Sequence, residues 1–291
     1  MIGYPTYELR CVMIAPVTKT IHNLRFDQPP VRSVVLTVYF KALEDFTLVH
    51  AMRLTSDWAD KYPDVRQESL RPRPQEVASS NPFSGEWPLP RVVLTHQSLS
   101  HALSFQSDQI SLRWTFDEKG ESGNYPGFER LLRELEQAFS HFSQVIDSDS
   151  SSNVQIQACT CEYVNIVDEI GFEQWVLGYV TDWTPAAKST AAYLAPRARP
   201  QRYTYTAVSD EGGDGTQPVL TCGVNVVGRK HGGVSMRLRG TAELPKVPAK
   251  DNSNSGDVVE LLVAAHDNLT LHFAQLSSSE MKESWGVQHV R

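Results

Sequence analysis

The chain has 291 residues, 41% of them hydrophobic, enough to bury roughly 70–75% of the surface exposed when unfolded without a disulfide or metal staple. Its formal net charge of −7 and pI of about 5.7 argue against general affinity for nucleic acid or anionic membranes, which are bound through excess Lys and Arg. No stretch approaches the roughly 20 apolar residues of a membrane span, and the start, MIGYPTYELRCVMIAP, has no signal-peptide pattern, so a soluble cytoplasmic protein is expected.

In chain order, residues 1–30 read as an entry strand or arm ending in Pro29-Pro30. Val34 to Phe40 is rich in β-branched and aromatic residues and reads as a buried strand. Lys41 to Lys61 reads as a helix stopped at Tyr62-Pro63. Asp64 to Pro90, with its prolines and serines, is expected as a surface loop. Arg91 to Thr95, Ala102 to Gln106 and Ile110 to Phe116 are expected strands, the last two forming a hairpin around Ser107-Asp108-Gln109. Phe128 to Phe142 places Phe128, Leu131, Leu132, Leu135, Phe139 and Phe142 on one face of a helix.

The polar run Asp147 to Asn153 is an internal boundary. Beyond it, Val154 to Val167 reads as a strand, Phe172 to Trp183 as a helix, and Arg202 to Val208, Val219 to Val227 and Val234 to Leu244 as strands. Asp257 with Glu260 makes a capping-box signature for a final helix to Leu276, whose apolar face carries Leu262, Ala265, His266, Leu269 and Phe273. Aligned on Phe142 and Phe273, the two long helices share Glu129/Glu260, Leu131/Leu262 and His141/His272. The expected fold is therefore α+β, a pseudo-duplicate of two units, each strand, helix, antiparallel strands, helix. The expected divisions are 1–30 as the arm, 31–147 and 154–276 as the units, and 277–291 as a C-terminal tail.

Three short stretches carry a resemblance: Tyr125-Pro126-Gly127-Phe128 opening a helix, Glu162-Tyr163-Val164-Asn165 in the first strand of the second half, and Ala265-His266-Asp267 followed by Phe273. With them the chain resembles, from Val31 to Trp285, a sporadically distributed family of uncharacterised bacterial proteins of about this length. Phe128 stands where that pattern has Trp. Glu162 stands where it has Arg, which reverses a charge, so an anion-binding role of that Arg does not carry over. The resemblance implies an architecture and no chemistry.

No phosphate-binding, dinucleotide-binding, nucleophile-elbow or metal-helix motif is present in the sequence, and no cofactor or metal is expected. Cys159 and Cys161 should share one strand face and read as core thiols. Asp210 to Gly215 reads as a hairpin turn. His266, half-buried beside Asp267, is the catalytic candidate, with Tyr163 and Asn165 as ligand-orienting groups. Arg237 and Arg239 share a strand face and are candidates for ligand or anion contact, within a basic region that also holds Arg197, Arg199, Lys230 and His231, with Tyr203 and Tyr205 as stacking groups. The first functional expectation is a non-enzymatic protein that binds a protein partner or a small ligand and can form a homo-oligomer. The second is a small-molecule enzyme or ligand sensor with a site between the halves, and the third is nucleic-acid binding through strands 197–239, which the acidity opposes.

Overall fold

The computed structural model describes residues 24–26, 30–74, 89–116, 125–149, 153–168, 202–209, 218–229, 233–244, 256–276, 282–283 and 285–289. They form a mixed α+β structure around a nine-stranded antiparallel sheet. The strands in chain order are β2 (Val31–Phe40), β3 (Asp64–Glu68), β4 (Arg91–Thr95), β5 (His101–Gln106), β6 (Gln109–Thr115), β7 (Ile156–Val167), β8 (Arg202–Ser209), β9 (Val219–Gly228) and β10 (Val234–Glu243). Across the sheet they lie in the order β3-β4-β5-β6-β2-β7-β10-β9-β8. Outside it, β1 (Leu24–Phe26) pairs antiparallel with β11 (Val287–His289).

The helices α1 (Leu48–Trp58), α2 (Phe128–Asp149) and α3 (Gly256–Leu276) cover one face of this sheet. Period-2 alternation explains which residues meet them. Val34, Leu36 and Val38 of β2 lie in register with Trp114, Leu112 and Ile110 of β6 and with Tyr163, Cys161 and Cys159 of β7. All of these are buried. Phe142 of α2 packs on Phe40 at a centroid distance of 5.4 Å, and Trp58 of α1 meets Phe105 at 5.7 Å. Gly240 of β10 lets α3 approach closely, because a Cβ there would collide with the Ala265 carbonyl oxygen.

The opposite face is polar, and its central row is buried. Ser104, Ser111, Thr37, Thr160, Thr241 and Thr221 occupy one register row across β5, β6, β2, β7, β10 and β9, and all are buried. Ser104 and Ser111 hydroxyls lie 2.9 Å apart, so the hydroxyls begin to satisfy one another.

Several expectations change. The 41–61 helix shortens to Leu48–Trp58, because Lys41 and Leu43 donate their N–H groups to Gln155 and Ser107 carbonyls instead. The 64–90 loop contains β3 on the sheet edge, paired with β4. After β3, residues 69–74 run back across the polar face, where Arg73 Nε binds Asp108 Oδ2 at 2.9 Å with both side chains almost fully buried. The β5–β6 turn is Ser107-Asp108, since Gln106 and Gln109 already pair. Helix α2 runs on into the polar boundary, where Ser148 Oγ donates to the Val145 carbonyl at 2.9 Å. The 172–183 helix, the 210–215 turn, Arg197, Arg199, Lys230, His231 and the side chains of Tyr203 and Tyr205 lie outside the described residues.

Candidate functional site

An open cleft of about 540 Å³ lies between the β4–β5 connection and the first turns of α2. Its lining includes Lys61, His96, Ser98, Ser100, His101, Trp114, Arg130, Arg133 and Glu134. The connection His96-Gln97-Ser98-Leu99-Ser100 is closed by the His96 N–H on the His101 carbonyl at 2.8 Å. At its tip Leu99 has φ of 59°, a left-handed conformation that costs a side-chain-bearing residue roughly 1–2 kcal/mol. That turn lines up alternating imidazoles and hydroxyls. His96 Nδ1 lies 2.9 Å from Ser98 Oγ, Ser98 Oγ lies 2.8 Å from Ser100 Oγ, and Ser100 Oγ lies 3.0 Å from His101 Nδ1. Because His96 Nδ1 also accepts the Ser98 backbone N–H at 3.0 Å, the neutral ring carries its proton on Nε2. At the other end, His101 Nε2 is buried with no hydrogen-bond partner among the described residues. Burial pushes the His101 pKa down, against the pull of the Glu134 charge.

The α2 side supplies charge. Arg130, Arg133 and Glu134 stand at i, i+3 and i+4, so one helix face presents all three. Glu134 Oε1 accepts the Tyr62 hydroxyl at 2.6 Å and pairs with Lys61 Nζ at 2.8 Å. Burial alone would raise the Glu134 carboxyl, but those two partners outweigh it and hold the pKa below its ordinary value. Burial and the carboxylate beside it push the Tyr62 hydroxyl up, so it stays protonated as the donor. Three cations against one carboxylate leave the cleft with an excess of two positive charges on a chain whose formal net charge is −7. The arrangement can hold an anion with guanidinium groups on one wall and hydroxyls and imidazoles on the other.

Trp114 continues the cleft into an aromatic cluster that joins the two halves. Its ring lies 5.4 Å from Tyr125, whose hydroxyl sits 2.6 Å from that of Tyr163. His266 stacks on Phe128 at 3.8 Å with 11° between the planes, and its Nδ1 lies 3.3 Å from Asp267 Oδ1. Tyr163 and His266 are 6.0 Å apart, so the structure brings these two sequence candidates together. Asn165 is buried two residues along β7 on the same face. Burial drives the Tyr163 hydroxyl pKa well up, so it is a neutral hydrogen-bonding group.

Arg237 and Arg239 do not join this cluster. They project from β10 onto the polar face, where Arg239 Nε and Nη2 grip Glu162 Oε2 at 3.0 and 2.7 Å and Arg237 Nε lies 3.6 Å from Glu162 Oε1. Cys159, Cys161 and Cys222 are buried free thiols with raised pKa values, Cys222 to about 12. Among the described residues no group of three or more His, Cys, Asp or Glu side chains is placed to hold a metal ion.

The sequence reading passed over the cleft residues. Two local patterns pointed to them: His-x-Ser-x-Ser-His between two strands, and Arg-x-x-Arg-Glu on α2. No protein-family model matches the chain, and no curated protein matches it.

Proposed function

We propose that this is a binding protein that holds a small anionic molecule in the cleft between the β4–β5 connection and α2. The observation that carries the reading is the His96-Ser98-Ser100-His101 chain facing the cleft lined by Arg130 and Arg133, with its positive excess in an acidic protein. Small-molecule sites combine a concave surface with a few convergent polar groups, which is the pattern here. His101, whose buried Nε2 has no partner among the described residues, is the group whose protonation a bound anion favours. The binding reading carries no catalytic assignment for His266 or Asp267; with Tyr163 and Phe128, His266 is taken as a brace between the halves.

The architecture is read as a duplication. In support, the order outward from the centre is β2-β6-β5-β4 in the first half, with β3 added beyond β4 at the edge, and β7-β10-β9-β8 in the second, the first strand pairing with the last of its unit in each. A cytoplasmic location fits the free buried thiols, and no described helix is long and apolar enough to cross a membrane.

The test is a thermal-shift series with mono-, di- and tricarboxylates and phosphate esters on the wild type and an Arg130→Gln/Arg133→Gln variant. A shift with one class of anion that the variant loses is expected. No shift with any class, or an equal shift in both proteins, removes the proposal.

A further inference from the structure

The polar face of the sheet, away from the cleft, carries a second cluster of charge. Residues 69–74 cross this face, and the backbone of Arg71 is fixed there by two buried glutamines. Its N–H donates to Gln106 Oε1 at 3.0 Å, and its carbonyl accepts Gln106 Nε2 at 3.1 Å and Gln109 Nε2 at 3.2 Å. Arg91 of β4 and Arg113 of β6 lie on the same face, as the strand registers require. Arg91 is buried and pairs with Glu68, yet its Nε has no hydrogen-bond partner among the described residues. Among the described residues Arg71 and Arg113 form no ion pair, and the nearby Glu162 is already held by Arg239 and Arg237. Partial burial, then the charges of Arg71 and Arg91, lower the Arg113 pKa against the smaller opposing pull of Glu68 and Glu162, carboxylates that Arg91 and Arg239 already hold, so positive charge predominates there among the described residues.

Such an arrangement costs stability unless something negative offsets it. Three guanidinium groups against the single carboxylate of Glu68 leave an excess of two positive charges, which matches a dianion. Guanidinium forks from three separate elements also match a tetrahedral oxyanion, which offers more outward oxygens than a carboxylate. The geometry points to a phosphoryl-binding site formed by Arg71, Arg91 and Arg113 on the helix-free face of the sheet, independent of the cleft. The row of buried hydroxyls beside it supplies a rigid polar floor and keeps the strands in register.

The probe is inorganic pyrophosphate, titrated calorimetrically into the wild type, an Arg71→Gln/Arg113→Gln variant and the Arg130→Gln/Arg133→Gln cleft variant. The first variant should weaken one binding event by about tenfold or more, the equivalent of at least one charge-assisted hydrogen bond, while the cleft variant retains that event. Arg113 is exposed, so its replacement should fold, and without pyrophosphate Arg113→Gln should melt no lower than the wild type because a repulsion is removed. Equal affinity in the wild type and the Arg71/Arg113 variant overturns the site, as does the absence of binding to all three proteins. Binding lost only in the cleft variant also overturns it, and leaves the cleft reading standing.

Discussion

The Tyr62 hydroxyl donates to Glu134 Oε1 across 2.6 Å, tying the segment after α1 to α2 at the edge of the cleft. Replacing Glu134 by Gln keeps an acceptor for Tyr62 and removes the Lys61 ion pair. Since Lys61 is half exposed, a loss of about 1 kcal/mol is expected, measured by denaturant titration. The same variant leaves the cleft more positive, so it should bind the anion several-fold more tightly; weaker binding would make Glu134 a ligand contact. The lowered Glu134 pKa gives stability that is present above the ordinary carboxyl value and is lost as pH falls through the folded value. The Gln variant should lack that acid-side loss.

The pH dependence from His101 has the opposite origin. Its folded pKa lies below the ordinary 6.5, so between the two values the unfolded chain binds more protons. Stability from this group is therefore complete above about 6.5 and declines as pH falls towards the folded value. A His101→Gln variant should show a shallower decline in melting temperature from pH 7.5 to 5.5. The decline is reduced rather than abolished, because burial lowers His272 in the same direction. A bound anion favours the protonated ring, so affinity in the wild type should rise as pH falls across this window and be flatter in the variant.

Gly240→Ala tests the seat of α3. The new Cβ would strike the Ala265 carbonyl oxygen and lie 2.9 Å from its carbon and 3.1 Å from Leu269 Cβ. Backbone cannot yield as a flexible side chain can, so a loss of about 3 kcal/mol is expected in chemical denaturation. A variant as stable as the wild type would mean that α3 sits farther from β10.

Much of this framework could be read from residue periodicity. The apolar stripes of α2 and α3, and the β-branched runs of β2, β7, β9 and β10, mark elements buried deeply enough to impose a pattern. β3 escaped because Asp64-Val65-Arg66-Gln67-Glu68 is an edge strand with little buried surface in a proline-rich neighbourhood. The cleft escaped for a different reason. Lys61, His101 and Glu134 are far apart in the chain and meet only because the strand order brings the β4–β5 connection beside α2, which no spacing rule encodes. His266 stood out because it interrupts an apolar helix face, and Tyr163 because its strand could offer that imidazole a partner; the structure brings the two rings to 6.0 Å at the seam between the halves.

That seam gives a paired prediction. Tyr163→Phe removes one partner of the 2.6 Å hydroxyl contact with Tyr125 and should cost about 1–2 kcal/mol. Adding Tyr125→Phe should cost less than the sum of the two single changes, since no buried hydroxyl is then left unpaired. His266→Gln removes the stack on Phe128, for a loss of about 0.5–1.5 kcal/mol, and should leave anion affinity in the cleft unchanged. A variant that melts like the wild type but loses ligand would make His266 a binding residue.

The most direct test of the cleft as a ligand site is native mass spectrometry of gently purified wild type beside the Arg130→Gln/Arg133→Gln variant. The wild type should carry a small acidic molecule as a discrete mass increment, and the variant should appear at its bare mass. Bare mass in both proteins, or the same increment in both, would contradict the assignment.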